Sequence, residues 1–302
     1  MAMYLGKNPI GENNIYEMIP SGYISPGGVY EISQNNIYNI SEYASVIVDI
    51  PLLEDEFITG ALFGIYSNSV VTRVGTYGLA GFDFVSINLP NVTSLGSYAF
   101  AYCDNLSSVT FGSLTSISAY AFYNCSQLTN INFASNFSTV PSSAFIGCGI
   151  TNISFANCTS IGGYAFSNCR SLTTVSFPNV TVIGEYAFSY CNTLTSVYFP
   201  KVSSIGYECF WNCHMLSTIS LPQIQTISTW VFERCYQLIS LNLTGVSSVP
   251  TLGSSNVFSY TPIAGYSTSA GQYGSIYVPA SLYNDFLAAS VWSLFSSRIV
   301  SV

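Results

Sequence analysis

The sequence predicts an α/β solenoid in which each unit of about 22 residues supplies one parallel strand and one short helical turn, preceded by a small β-rich element. Three observations carry this. First, an apolar triad recurs as Phe84/Ile87/Leu89, Leu106/Val109/Phe111, Leu128/Ile131/Phe133, Ile150/Ile153/Phe155, Leu172/Val175/Phe177, Leu194/Val197/Phe199, Leu216/Ile219/Leu221 and Leu238/Leu241/Leu243, each first member 22 residues after the last. Second, two periods alternate inside a unit. The Val-x-Phe segment has period 2, placing its apolar residues on one side and Ser, Thr or Asn on the other, whereas Ile183, Ala187, Phe188 and Cys191 fall at the spacing of one helical face. Third, only 7% of the residues are charged against 49% hydrophobic. A chain of that kind needs a large core, and uncharged polar side chains must do the solvating.

Taken in order, residues 1–57 read as the small β element. Val29-Tyr30-Glu31-Ile32, Ile37-Tyr38-Asn39-Ile40 and the run from Ala44 to Ile50 alternate apolar with polar between Gly-, Pro- and Asn-containing turns. Residues 58–82 form a worn first repeat, in which Val74 to Leu79 aligns on Ile183 to Phe188; an end repeat is atypical because one of its faces meets no neighbour. Regular copies then run to about 259. Since one unit cannot bury its own apolar face, stacking is expected to line up Phe100, Phe122, Phe145, Phe166, Phe188, Phe210 and Phe232 beside a column of cysteines. The unit at 134–150 is irregular, with an extra residue before Phe145 and one fewer after Cys148. Residues 260–302 hold a Gly/Ser/Tyr loop, a last strand at Ser275-Ile276-Tyr277-Val278 and an amphipathic helical segment from Ala280 to Phe295. Leu282, Phe286, Leu287, Val291 and Trp292 of that segment are expected to lid the core.

Fourteen acidic and six basic residues give a net charge of −8. Eight of the acids precede residue 57, and the basic patch on which nucleic-acid or anionic-membrane binding depends is missing. No run of about 18 apolar residues suggests a membrane span. The opening residues lack the charged and apolar regions of a secretory signal, so the chain is expected to be made in the cytoplasm and not inserted in a membrane. Nine cysteines are present, seven of them (Cys103, Cys125, Cys148, Cys169, Cys191, Cys213, Cys235) at one repeat position. That regularity reads as reduced, packed thiols rather than a metal or redox motif, with disulfide pairing between rungs as the alternative, since a parallel-strand spacing of about 4.8 Å lies within disulfide reach.

The unit Ile-Gly-x-Tyr-Ala-Phe-x-x-Cys-x-x-Leu-x-x-Val-x-Phe-Pro, seen at 183–200, resembles the BspA-like or Treponema pallidum type of leucine-rich repeat. The likeness covers about 58–259. It implies a leucine-rich repeat array acting as a non-catalytic scaffold, whose relatives are mostly surface proteins that bind proteins or host cells. Residues 275–302 are similar to the carboxyl-terminal cap of such proteins from gut Firmicutes and their phages. Residues 36–51 are similar to a short β module of phage and prophage structural proteins. This second likeness implies a virion or tail setting, with residues 1–57 as the attachment element. A bacterial surface adhesin and an intracellular interaction scaffold are the alternatives.

Chemistry is poorly supplied. No phosphate-binding loop or nucleophile elbow is present, and the single histidine, His214, lies at a variable position and reads as a surface side chain. The acids within the repeats are scattered, so no enzyme, metal or cofactor is expected. Candidate binding residues come from positions the repeat does not specify. Outward strand positions form two ladders of small polar residues, Asn132 among them, interrupted only by Tyr198. Around the sixth and seventh units the varied positions turn bulky, at Trp211, His214, Met215, Arg234 and Tyr236, with Arg170 and Tyr123 nearer the start. Exposed aromatics and Arg are the side chains that anchor interfaces. The partner these residues imply is a protein or glycan on a cell surface.

Overall fold

The computed structural model describes residues 72–302 apart from 83, 134–136, 267, 269 and 270, together with the backbone of the strands Ala2–Tyr4, Ile24–Ser25, Val29–Glu31 and Ile65–Ser67. Val29–Glu31 is the middle strand of a small antiparallel sheet with the other two N-terminal strands. The strands expected at 37–40 and 44–50, and the stretch 36–51, lie outside the described residues. The chain forms two compact units, Met1–Ser135 with Ala144–Ile150, and Asn136–Ser143 with Thr151–Val302.

In the first unit, Ile65–Ser67, Ser86–Asn88, Ser108–Phe111 and Asn130–Phe133 make a parallel sheet in chain order. Its register sets Ile87 opposite Val109 and Val109 opposite Ile131, so each triad lies against the next. The second unit repeats this with Asn152–Ser154, Thr174–Ser176 and Ser196–Tyr198, and again with Thr218–Ser220, Ser240–Asn242, Ser275–Val278 and Ile299–Ser301. Apolar triad members point inward and are mostly fully buried, while the Ser, Thr and Asn ladders face out. Each unit also carries a second strand of two residues, such as Val182–Ile183 and Ser204–Ile205, paired in parallel with its neighbours. Sequence periodicity did not reveal these, because two residues are too few to show an alternation.

The segment expected as a helical turn has the expected buried side chains but a different backbone. Ala187, Phe188 and Cys191 are fully buried. The N–H groups of Tyr186, Phe188 and Tyr190 donate to the carbonyls of Tyr207, Cys209 and Trp211 one rung on, and those of Ser189 and Cys191 turn back three residues to Tyr186 and Phe188. A helix would send all of them back four residues. The alternation is sustained by two left-handed residues per rung, such as Tyr186 and Tyr190, or Tyr164 and Asn168. Asn124, Asn168 and Asn212 take the second of these positions, as expected of a residue that tolerates positive φ.

The first left-handed position holds Tyr77, Tyr98, Tyr120, Tyr164 and Tyr186, and Ser143, Glu208 or Trp230 on other rungs; neighbouring tyrosine rings stack. In the first unit Tyr98 lies 4.8 Å from Tyr77 and 4.6 Å from Tyr120, nearly parallel to both; in the second, Tyr164 and Tyr186 are 4.6 Å apart. The phenylalanine column forms within each unit. Phe100, Phe122 and Phe145 stack at 5.3 and 5.4 Å in the first. In the second, Phe166, Phe188, Phe210 and Phe232 follow at 5.4 to 5.7 Å, and Phe258 extends the series.

All nine cysteines are buried free thiols. Within the column they do more than fill space. Cys125 Sγ donates to the Phe100 carbonyl at 2.9 Å, and Cys213 and Cys235 donate to Phe188 and Phe210 at 3.2 Å. Each of these thiols hydrogen-bonds one rung back along the array, which an alanine of similar size could not do.

At the carboxyl end the segment expected as one amphipathic helix is made of short pieces: 3-10 turns at Ala280–Leu282 and Trp292–Arg298 flank an α-helix at Tyr283–Ala288. Phe286, Trp292 and Phe295 are buried, whereas Leu282, Leu287 and Val291 are only half-buried. Phe295 meets Phe258 edge-on at 5.1 Å, and Trp292 Nε1 donates to the Pro250 carbonyl at 2.7 Å. The chain then adds Ile299–Ser301 to the sheet beside Ser275–Val278.

Candidate functional site

Varied positions of the second unit converge on one strip at the surface, with Tyr190, Met215, Arg234, Tyr236 and Tyr260 exposed and Trp211 and His214 half-buried. Tyr190, at a left-handed position, has its ring 4.7 Å from Trp211, edge to face. The Arg234 guanidinium lies 5.9 Å from the Trp211 ring centre and 5.8 Å from that of Tyr260, within cation–π range of both. Tyr260 in turn packs on Tyr266 at 5.2 Å. The strip is thus an aromatic, cationic and aromatic series along successive rungs. Tyr190, Arg234 and Tyr260 stand at second left-handed positions and are exposed, whereas Asn212 at that position on the rung between Tyr190 and Arg234 is buried and the adjacent Trp211 continues the strip.

Beside it, His214 is half-buried rather than a free surface side chain. Its ring is 5.0 Å from Tyr236, and Nε2 is 3.2 Å from Asn212 Oδ1. Burial, followed by the nearby Arg234 guanidinium, lowers its pKa from the ordinary imidazole value, which favours the neutral ring. Glu233 lies 3.8 Å from Arg234 Nε. Burial raises the Glu233 carboxyl, Arg234 opposes the rise and Glu208 adds to it. Met215 is exposed at the margin. The Trp211 indole N–H is buried and has no hydrogen-bond partner among the described residues; its ring meets Tyr190 and the Arg234 guanidinium.

The structure therefore gathers Trp211, His214, Met215, Arg234 and Tyr236 in one region of the second unit and adds Tyr190, Tyr260 and Tyr266. A signal for Tyr260 was present: Val257-Phe258-Ser259-Tyr260 follows the pattern of Val231-Phe232-Glu233-Arg234, although the looser spacing around it hides the match. Arg170 is elsewhere on the array, its Nε bonded to Asn168 Oδ1 at 2.8 Å. Tyr123 belongs to the first unit's tyrosine cluster, 5.3 Å from Tyr102 and 5.8 Å from Tyr120.

Tyr198 stands apart from the strip, on the polar strand face, and is 55% exposed. Its strand neighbour across the ladder is Ser176. Asn132 is exposed on the first unit's sheet, opposite Thr110. Among the described residues no group of three or more His, Cys, Asp or Glu side chains is placed to hold a metal ion, and no helix is long and apolar enough to cross a membrane.

A family model described as the BspA type leucine rich repeat region matches residues 59–173 and 159–270, as six copies. No curated protein matches the chain. Among solved structures, a leucine-rich repeat protein from Bacteroides ovatus is 20% identical, with 77% of this chain and 70% of that one covered and a TM-score of 0.48. The leucine rich repeat protein of T. pallidum is 24% identical over 60% of this chain and 77% of its own, with a TM-score of 0.43. A leucine rich cell surface protein from Faecalibacterium prausnitzii is 20% identical over 76% and 82%, with a TM-score of 0.31.

Proposed function

This chain belongs to the BspA-type leucine-rich repeat family, and we propose that it is a non-enzymatic binding protein whose strip from Tyr190 to Tyr266 docks a protein on a cell surface. The observation that carries the reading is the sandwich of Arg234 between Trp211 and Tyr260. Trp, Tyr and Arg are the types that dominate interface energies. Here Tyr190, Arg234 and Tyr260 are exposed and Trp211 is half-buried between them, on consecutive rungs where most other copies carry small or polar residues. The rungs behind them are stacked phenylalanines, so little conformational freedom remains to be lost on binding.

The setting we propose is a phage or prophage particle, with residues 1–57 attached to the tail or capsid. What supports it is the likeness of residues 36–51 to a module of phage structural proteins. Two measurements test the reading. Labelled chain is applied to intact cells of a panel of gut Firmicutes and quantified by flow cytometry. Binding that falls at least about tenfold in a Trp211→Ala/Arg234→Gln variant with unchanged circular dichroism fits two interface anchors lost together; undiminished binding sinks the strip. Mass spectrometry of purified particles from the source strain tests the setting. Recovery in the cell envelope and absence from particles would replace the virion with a surface adhesin.

A further inference from the structure

A second site, separate from the aromatic strip, lies in the same unit. Beyond the strands, two repeat positions form polar rows: Asn179, Lys201 and Gln223 in one, Thr181, Ser203 and Gln225 in the other. The short strands Ser204–Ile205, Thr226–Ile227 and Thr251–Leu252 begin at matching points. Ser204 to Thr226 is 22 residues, but Thr226 to Thr251 is 25. The surplus sits in the loop carrying Gly245, Ser247 and Ser248. It raises one wall of a groove of about 470 Å³, whose other wall and floor come from Lys201, Ser203, Pro222, Gln223 and Gln225. That volume falls within the range of small-molecule sites, roughly 300–1,000 Å³.

Gly245 continues the first row, where its backbone packs closely on Pro222. A Cβ there would lie 2.5 Å from Pro222 Cβ and 3.0 Å from the Pro222 carbonyl oxygen. The lining is chemically uniform. It contains hydroxyls, two carboxamides and one ammonium, and no carboxylate. Of the apolar members, Ile224 and Val246 are buried and Pro222 is half-buried, so the groove offers little apolar surface for an anchor. The side chains of Gln223, Gln225, Ser247 and Ser248 make no hydrogen bond to another described residue. Lys201 Nζ donates to Asn179 Oδ1 at 2.6 Å, a neutral partner, and makes no ion pair among the described residues. In a chain of net charge −8, this is a local positive charge with no ion-pair partner among the described residues, set beside the unpaired Gln223, Gln225, Ser247 and Ser248, while the Thr181 and Ser203 hydroxyls donate to the Thr159 and Thr181 carbonyls.

We propose that this groove binds an acidic saccharide unit, with Lys201 on the carboxylate and Gln223, Gln225 and the serine hydroxyls on the ring hydroxyls. The ammonium supplies a charge-assisted hydrogen bond, and carboxamides pair with vicinal diols as both donors and acceptors. A peptide fits less well, since it would find little apolar surface. A neutral glycan would leave the ammonium unused.

The test is saturation-transfer NMR and titration calorimetry on the full chain with trigalacturonate, its methyl ester, and the tripeptide Ala-Ala-Asp as probes. The acid is expected to bind about fivefold more tightly than the ester, the upper end for a solvent-exposed charge pair. Lys201→Gln should erase that difference, and Lys201→Arg should keep it. Gln225→Ala should weaken acid and ester alike. Added salt should weaken the acid only. Lys201 and Gln225 are both exposed, so the three variants are expected to fold as the parent does. Equal binding of acid and ester, no transfer at millimolar trigalacturonate, or equal binding of the tripeptide overturns the proposal. None of these outcomes bears on the aromatic strip, which Trp211 and Arg234 variants test separately.

Discussion

Phe188→Ala removes one ring from the middle of the second unit's column. The parent side chain is fully buried, with Phe166 and Phe210 stacked on its two faces at 5.4 Å and Phe199 tilted against it at 5.8 Å. Deleting a buried phenylalanine costs roughly 3–5 kcal/mol. The upper half of that range applies here, because both faces lose a ring contact worth about 0.5–1.5 kcal/mol each beyond burial and the parallel strands on either side limit collapse. Phe188→Leu keeps most of the volume and loses the stacking, so it should cost less, about 1–2 kcal/mol. Tyr198→Ala in the next strand is the control: its ring is mostly exposed, and the change should stay within about 0.5 kcal/mol. Urea unfolding followed by circular dichroism gives the totals. Hydrogen exchange gives the location, with the added opening concentrated in the rungs next to 188, since stacked repeats contact only their neighbours. A Phe188→Ala loss below about 1 kcal/mol, or one equal to that of Tyr198→Ala, would show that the column is not the core described here.

Three further outcomes are expected. The native chain should show no thiol reactive to a disulfide reagent, and nine in strong denaturant: burial pushes the Cys103, Cys125 and Cys213 thiols well above their usual pKa, which removes the reactive thiolate. Tyr98 should titrate late, at about 12, because burial and then its neighbours Tyr77, Tyr120, Tyr102 and Tyr123 disfavour the phenolate. A folded pKa above the unfolded value near 10 means that this contribution to stability is complete below pH 10 and lost as pH rises toward 12, a loss that absorbance at 295 nm and circular dichroism should show together. Trp292→Ala should cost roughly 3–5 kcal/mol and raise exchange around Phe258, since the indole is buried and bonded to the Pro250 carbonyl.

The strand half of each unit was legible because period-2 alternation is a direct consequence of pleating: Val175, Ile219 and Leu241 point inward and Thr174, Thr218 and Ser240 point outward, as read. The turn half was legible in its side chains and not in its backbone. Ala187, Phe188 and Cys191 are buried at a spacing that one helical face also satisfies, and side-chain spacing does not say whether an N–H bonds along the chain or across to the next rung. For the site, Trp211, His214, Met215 and Tyr236 stood out as departures from a repeat. Their convergence with Arg234 and Tyr260 depends on left-handed backbone positions, which sequence spacing does not display. The groove at Lys201 was not visible either, because its wall comes from a loop whose extra residues read as a loosening of the pattern.

The central claim is that recognition runs through the strip. Hydroxyl-radical footprinting of the chain, alone and bound to the cells that retain it, tests this residue by residue. Bound chain should show protection at Tyr190, Trp211, Met215, Tyr236, Tyr260 and Tyr266, with Tyr198 and Tyr164 as reactive as in the free chain. Protection of Tyr198 and its strand face, with Trp211 and Tyr260 unchanged, would place the binding surface on the sheet and contradict the account.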